Sequence, residues 1–310
     1  MPLFFTVPPT HKPLEVSPLK KLFLISLLVL GCACALALFP QVKGRSAAHS
    51  TKAKPAVAVP AVAGLPDLIV DQATLRQHWV VRVEDLPAEF CSVEEGGITP
   101  GTHTLLRFTV GTPNIGTADL FVGDPNQHVD DGLFEFASCH NHYHFRHYAT
   151  YELVDPANGF VWRAAKRGFC MIDIEKYQGY TGDRDNQPHY RNCGAINIPG
   201  NQGISKGWSD VYEWKLGGQY FVLDGGDGQP VVPPGQYIIR VTVNPGFVPK
   251  GTEPCRFADP LHKGVCHQLP ESDFENNVSQ ITITIPEKAT RQGVGPLKNQ
   301  VAITTEPIDQ

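Results

Sequence analysis

Beyond its first 64 residues, this 310-residue chain is short of positive charge. Residues 65–310 hold 19 Lys and Arg against 30 Asp and Glu, whereas residues 1–64 hold seven and one. A body with a net charge of −11 cannot bind nucleic acid by neutralising phosphates, so no nucleic-acid partner is expected. The same charge would attract a cationic substrate, although the simpler explanation is that acidity keeps an exported domain soluble.

The chain also lacks long helical periodicity and internal repeats, which argues against a helical or repeat architecture. Gly and Pro are frequent, with 29 and 27 residues, and short apolar or alternating runs lie between them. The predicted strands are 67–70, 105–110, 149–154, 237–243 and 278–285. Many short strands separated by turns predict an all-β, β-sandwich-like domain with long irregular loops and few short helices.

One long hydrophobic run stands near the start of the chain, from Leu22 to about Phe39, directly after two lysines. A basic stretch followed by such a run is typical of a signal peptide or a single membrane anchor, and the sequence leaves both open. We therefore expect a signal or anchor segment at 1–39, an Ala/Pro-rich linker at 40–64, a globular domain at 65–290 and a loosely ordered tail at 291–310. Either kind of leader places the domain outside the cytoplasm, as a secreted, periplasmic or membrane-anchored protein.

Cysteines support an oxidising compartment. Two lie in the hydrophobic leader and six follow it, and an even number in an exported domain indicates disulfide bonds. The six are Cys91, Cys139, Cys170, Cys193, Cys255 and Cys266. Six cysteines can pair in 15 ways, and their spacing alone does not choose among them.

The run Cys139-His-Asn-His-Tyr-His144 is the strongest functional signal in the chain. Three imidazoles within five residues favour a shared metal ion, and copper and zinc both suit imidazole nitrogen. Residues two apart share one face of a strand, but a flat strand would hold the outer Cα atoms roughly 13 Å apart. We therefore expect a bent or bulged strand that brings the rings of His140, His142 and His144 around one ion.

These residues resemble the catalytic domain of the copper-dependent lysyl oxidases. The histidine run matches that family's Cys-His-x-His-Tyr-His copper signature. Lys166 and Tyr212 fall, in order and within matching flanks, where the family carries the lysine and tyrosine of its quinone cofactor. The stretches 202–207 and 271–277 also match, and the resemblance covers roughly residues 91–285.

The resemblance implies an enzyme with two cofactors. Copper would be held by His140, His142 and His144, and lysine tyrosylquinone would form from Tyr212 and Lys166 with dioxygen. Such an enzyme converts a primary amine, either peptidyl lysine or a small amine, to an aldehyde, releasing ammonia and hydrogen peroxide. The lysine must be neutral when it adds to the oxidised ring.

A general base must also remove a proton from the carbon beside the amine nitrogen. Asp210 is a candidate, because it lies two residues before Tyr212 and would share its face of a strand. The ordinary explanation for such a residue is a surface or turn aspartate.

The resemblance further implies a disulfide scheme, because two of the family's half-cystines are replaced here by Gly97 and Lys176. Each replacement leaves its own partner, Cys91 or Cys170, without the family's bond. The pairs implied are Cys91–Cys170, Cys139–Cys193 and Cys255–Cys266.

Two other interpretations remain open. The opening and closing stretches, 66–70 and 271–277, also resemble adhesive β-sandwich domains, so the chain could be a non-catalytic extracytoplasmic metal-binding or adhesion module. A zinc hydrolase is the third interpretation. It would usually require a catalytic carboxylate beside the histidine run and a larger α/β scaffold, neither of which is found.

Overall fold

A computed structural model of the protein describes residues 64–95, 98–166, 168–226 and 228–306. Within these residues the chain forms seventeen short strands, two short helices and one 3₁₀ turn. The predicted all-β class with long irregular loops is therefore confirmed. The expected leader at 1–39 and nearly all of the expected linker lie outside the described residues, within which no helix is both long and apolar enough to span a bilayer.

The helices are α1 (Gln72–Gln77) and α2 (Cys91–Glu94), and the 3₁₀ turn is Pro125–Gln127. The strands before the irregular loop are β1 (Trp79–Leu86), β2 (Gly101–Phe108), β3 (Val110–Pro113), β4 (Leu120–Gly123), β5 (Phe134–Ala137), β6 (His142–Arg146), β7 (Ala149–Val154), β8 (Val161–Arg163), β9 (Gly168–Phe169) and β10 (Glu175–Lys176). Those after it are β11 (Gln202–Ile204), β12 (Trp208–Tyr212), β13 (Tyr220–Val222), β14 (Gly235–Val243), β15 (Phe257–Ala258), β16 (Cys266–His267) and β17 (Val278–Ile285).

The largest sheet has the order β17-β14-β7-β8 and is antiparallel throughout. The sequence predicts strands β14 and β17 of this sheet, because alternate residues in them are apolar and face the core. Ile281, Ile283 and Ile285 are buried while the residues between them are exposed. Burial of such side chains contributes roughly 1.5–3 kcal/mol each, which fixes the register of the sheet.

Two predicted strands differ from the structure. The predicted strand 105–110 is divided at Thr109, so that β2 pairs with β1 and β13 while β3 pairs with β12. The stretch 67–70 forms only an isolated bridge, between Leu68 and Asn114. The irregular segment predicted between 177 and 201 contains no strand among its residues, all of which are described.

Residues 291–306, which belong to the segment predicted as a loosely ordered tail, follow a defined path. Val294 forms a two-way backbone bridge with Val81 of β1, and the Gln300 carbonyl accepts a hydrogen bond from Arg82. Pairing with β1 explains the order, because it satisfies backbone groups that an edge strand would leave open.

Two sheets position the candidate site. One has the order β5-β6-β9 and carries the histidine run, and the other has the order β10-β12-β3 and carries Tyr212. Phe169 of β9 packs edge-on against the ring of Tyr212, with ring centroids 5.2 Å apart, and both belong to the main hydrophobic core. The two sheets are therefore joined at this aromatic contact.

Candidate active site

The histidine run forms a β-hairpin rather than a bulged strand. Strands β5 and β6 pair with Ala137 opposite His142, and residues 138–141 make the turn between them. Asn141 has a φ of 56°, a left-handed conformation that asparagine tolerates better than most residues. The turn places His140 back over the face of β6 that carries His142 and His144, so the predicted bend exists but has a different cause.

The three imidazoles form a compact group, called here the histidine cluster (His140, His142 and His144). Their ring centroids lie 5.6, 5.3 and 4.8 Å apart. The Nε2 atom of each ring is shielded from solvent, and Nε2 of His140 makes no hydrogen bond with any described residue. Burial, followed by the charges of Lys166, His142 and His140, lowers the pKa of His144 to about 2.

Gly168 of β9 forms one wall of the histidine cluster. A Cβ atom at this position would lie 2.2 Å from Nδ1 of His144 and 2.5 Å from its Cγ. Only a residue without a side chain leaves room for the ring there.

This donor set fits a borderline cation. Neutral imidazole nitrogen is a good ligand for copper and zinc, and the lowered pKa keeps His144 neutral and able to donate its lone pair. A buried polar nitrogen without a partner costs free energy, and a metal ion would satisfy the Nε2 atom of His140.

Lys166 and Tyr212 lie together beside this cluster. Nζ of Lys166 is 5.2 Å from the ring centroid of Tyr212 and 5.7 Å from that of Phe169. The Tyr212 hydroxyl donates a hydrogen bond to the Cys170 carbonyl at 3.0 Å. The amine predicted to attack the tyrosine ring is thus within a short side-chain movement of it.

The environment of Tyr212 opposes ionisation of its phenol. The ring is buried, and burial raises its pKa well above the usual value near 10. The nearby carboxylate of Asp210 raises it further. The phenol therefore stays protonated unless a positive charge is brought close to it.

A cavity of about 280 Å³ opens beside the histidine cluster and Lys166. Besides His140, His144 and Lys166, its wall includes two carboxylates, Glu95 and Glu135. Glu135 stands directly opposite His144 in the β5–β6 pairing. The cavity is small, carries two carboxylates on its wall and gives an amine access to Lys166, whereas the buried Tyr212 does not line it.

Asp210 stays a candidate for the general base. It shares a face of β12 with Tyr212, as the spacing predicts, but it is buried and is not among the residues that line the cavity. A general base must come within hydrogen-bond reach of the proton it removes. The carboxylate of Asp210 lies close enough to Tyr212 to raise the pKa of its phenol, whereas Glu95 and Glu135 line the cavity.

Two of the three implied disulfides are wrong. The structure pairs Cys91 with Cys139 and Cys170 with Cys193, and it confirms the third pair, Cys255–Cys266. Each bonded pair has Cα atoms 5.3 to 5.5 Å apart, as a disulfide requires. Pairing the two cysteines whose family partners are replaced gave the wrong bonds, because a disulfide depends on distance in the fold, which the family scheme did not supply.

The revised pairs bear on the site. Cys91–Cys139 ties α2 to the residue before the histidine cluster, and Cys170–Cys193 ties the carbonyl that holds Tyr212 to the irregular loop. Sequence reasoning also missed Glu95 and Gly168. The sequence signal for Glu95 was its position four residues after Cys91, which points to the histidine cluster once Cys139 is known to be the partner of Cys91.

A second group of candidate ligands lies elsewhere. Oxygen or nitrogen atoms of Asp259, His262 and Glu275 lie within 4.8 Å of one another. Asp259 accepts the backbone N–H groups of Leu261 and His262, which is the ordinary role of an aspartate at a turn. This group is explained by local structure.

Comparisons with known proteins agree with the geometry. A family model for lysyl oxidase matches residues 68–252. The chain is 30% identical to human lysyl oxidase homolog 1 over 232 residues, which is 71% of this chain and 33% of that protein. It is 28% identical to chicken protein-lysine 6-oxidase over 234 residues, covering 71% of this chain and 45% of that protein, and 28% identical to the pig enzyme, covering 71% and 76%. The chain thus spans less than half the length of the first two relatives.

Proposed function

The chain belongs to the lysyl oxidase family, and from this premise we propose that it is a copper- and lysine tyrosylquinone-dependent amine oxidase. The reaction is oxidative deamination of a primary amine. A CH₂–NH₂ group, dioxygen and water give an aldehyde, ammonia and hydrogen peroxide, so that two electrons pass from the amine carbon to oxygen. The preferred substrate is peptidyl lysine, with small primary amines as the simpler alternative.

The observation that carries the proposal is the placement of Lys166. Its Nζ atom lies 5.2 Å from the ring centroid of Tyr212, although the two residues are 46 positions apart in the chain. Tyr212 is buried and Lys166 is half-buried beside it, an uncommon setting for a lysine because its amine loses hydration there. The cross-linked cofactor gives this proximity a chemical purpose.

The histidine cluster would hold the copper ion. Bound copper supplies the one-electron chemistry with dioxygen that converts a tyrosine ring to a quinone. The chain's own contribution is positional. Phe169 packs edge-on against Tyr212, and the Cys170 carbonyl fixes its hydroxyl. Lys166 is directed at the ring face, where its amine can add once it has lost its proton.

The cavity suits the side chain of lysine better than a bulky substrate. Its volume of about 280 Å³ lies at the lower limit of ordinary ligand pockets. Glu95 and Glu135 on its wall attract an ammonium group. Recognition of the peptide around the lysine would then occur outside the cavity.

An extracytoplasmic location is part of the proposal. Three disulfides persist only in an oxidising compartment, and the hydrophobic run at 22–39 provides the signal or anchor. Membrane attachment through that segment is one form that this location could take.

Peroxide release tests the function. Copper-loaded protein incubated with a lysine-containing peptide should release hydrogen peroxide, and Lys166→Ala and Tyr212→Phe should each abolish the release. Lys176→Ala is the matched control, since Nζ of Lys176 also lies over an aromatic ring, 5.7 Å from the Trp208 centroid, but outside the cavity wall. Copper binding without peroxide release from peptides or small amines would contradict the proposal and favour a metal-binding or adhesion module.

A further inference from the structure

We propose that Glu95 is the positioning residue for His140, holding its ring so that Nε2 faces the metal. The proposal rests on the proposed copper site and deepens it. It assigns to the Cys91–Cys139 disulfide the task of keeping this carboxylate and this imidazole together.

The contact is direct. Oε2 of Glu95 lies 3.2 Å from Nδ1 of His140, although the ring N–H is not aimed straight at the oxygen. The other carboxylate oxygen, Oε1, accepts the backbone N–H of Cys139 at 2.6 Å. The Glu95 side chain thus contacts both the imidazole of His140 and the backbone N–H of the preceding residue, and these two contacts fix the carboxylate.

This arrangement selects one tautomer of His140. A carboxylate beside Nδ1 favours a proton on that nitrogen, and the lone pair is then on Nε2. The Nε2 atom is buried and makes no hydrogen bond with any described residue, so it is the ring atom left for a metal ion. Histidines that bind metals usually donate their other ring N–H to such a partner, which orients the ring and strengthens its lone pair.

The disulfide explains how Glu95 reaches this place. Cys91 begins α2, and Glu95 ends the same turn by donating its N–H to the Cys91 carbonyl at 2.8 Å. Cys139 immediately precedes His140 in the chain. The bond between residues 48 positions apart therefore brings together two neighbours of its cysteines, one acidic and one imidazole. The start of α2 is further held by Glu306, which accepts the N–H of Ser92.

A purely structural role for Glu95 would be to accept the Cys139 N–H. Glu95→Gln separates the two roles, because the amide oxygen can still accept that N–H while the negative charge beside His140 is lost. Glu94→Gln is the matched control, since Glu94 is the exposed acidic residue just before it on α2. Glu95→Asp is the second variant, which keeps the charge and shortens its reach.

The test uses full-length, disulfide-intact protein stripped of metal. Copper(II) affinity is measured by competition with a chelator, the copper spectrum by electron paramagnetic resonance, and the fold by melting without metal. We expect Glu95→Gln to bind copper about 10- to 100-fold more weakly with a shifted spectrum and an unchanged melting temperature. Glu95→Asp should fall between it and wild type, and Glu94→Gln should equal wild type.

Wild-type affinity and an unchanged spectrum in both Glu95 variants would overturn the inference. So would a loss of affinity matched by a loss of melting temperature in the metal-free protein, since that would make Glu95 only structural. The failure of the proposed function has a different signature. In that case wild-type protein binds copper and Glu95→Gln weakens copper binding, yet no quinone forms.

Discussion

Replacing Gly168 with alanine is the smallest change that should displace a ring of the histidine cluster. The added Cβ would lie 2.2, 2.5 and 2.6 Å from three atoms of His144, where an ordinary contact begins near 3.4 Å. The ring or β9 must therefore retreat by about 1 Å, a shift large enough to spoil a preorganised site. Overpacking of this kind costs roughly 1–3 kcal/mol of folding stability.

The expected result is a folded protein with impaired metal binding. Copper(II) affinity should fall by at least about tenfold, and the melting temperature of the metal-free protein should drop. Gly111→Ala is the matched control, because that glycine also lies in a strand and its added Cβ would meet nothing closer than 3.4 Å. Alanine there should be neutral or slightly stabilising. Wild-type copper affinity in Gly168→Ala, with His144 unmoved in a crystal structure, would refute the reasoning.

Three further predictions follow from buried groups. Because burial raises the pKa of Tyr212, its phenol should stay protonated above pH 10 in metal-free protein, and its contribution to the free energy of unfolding should be lost only as the pH rises further. Ultraviolet titration of wild type against Tyr212→Phe checks this, and an extra phenol that titrates in wild type near the usual pKa would contradict it. Phe169→Ala should cost about 3–5 kcal/mol in urea unfolding, since the ring is buried against Tyr212, and a loss under about 1 kcal/mol would show that the two sheets are not joined there. Glu84→Gln should cost about 3–5 kcal/mol, because Glu84 is buried between Arg82 and Arg107 at 2.9 and 2.7 Å, and an unchanged melting curve would count against that ion-pair network.

The strands that sequence predicts best are those with one buried face. Strands β7 and β17 have the predicted bounds, because an alternating apolar pattern allows only one register on a core. The stretch 67–70 is also mostly apolar but forms a single bridge, since strand formation there depends on a partner that composition cannot reveal.

The candidate site divides in the same way. The histidines are candidates because of their residue type and spacing, and Lys166 and Tyr212 are candidates because their flanks resemble those of the lysyl oxidase family. The sequence does not name Gly168, whose contribution is the absence of a side chain, or Glu95, whose contribution is a 3.2 Å contact across the fold. Two of the three predicted disulfide pairs were wrong for the same reason, since pairing is set by Cα separations of about 5.5 Å rather than by spacing in the chain.

The direct test of the central claim is mass spectrometry of a proteolytic digest of copper-loaded protein prepared in air. The account predicts one cross-linked peptide pair that joins Lys166 to Tyr212 and carries the mass of the quinone. It also predicts that the pair disappears when copper is withheld during preparation. Recovery of both residues unmodified, from protein that binds copper and oxidises amines, would contradict it.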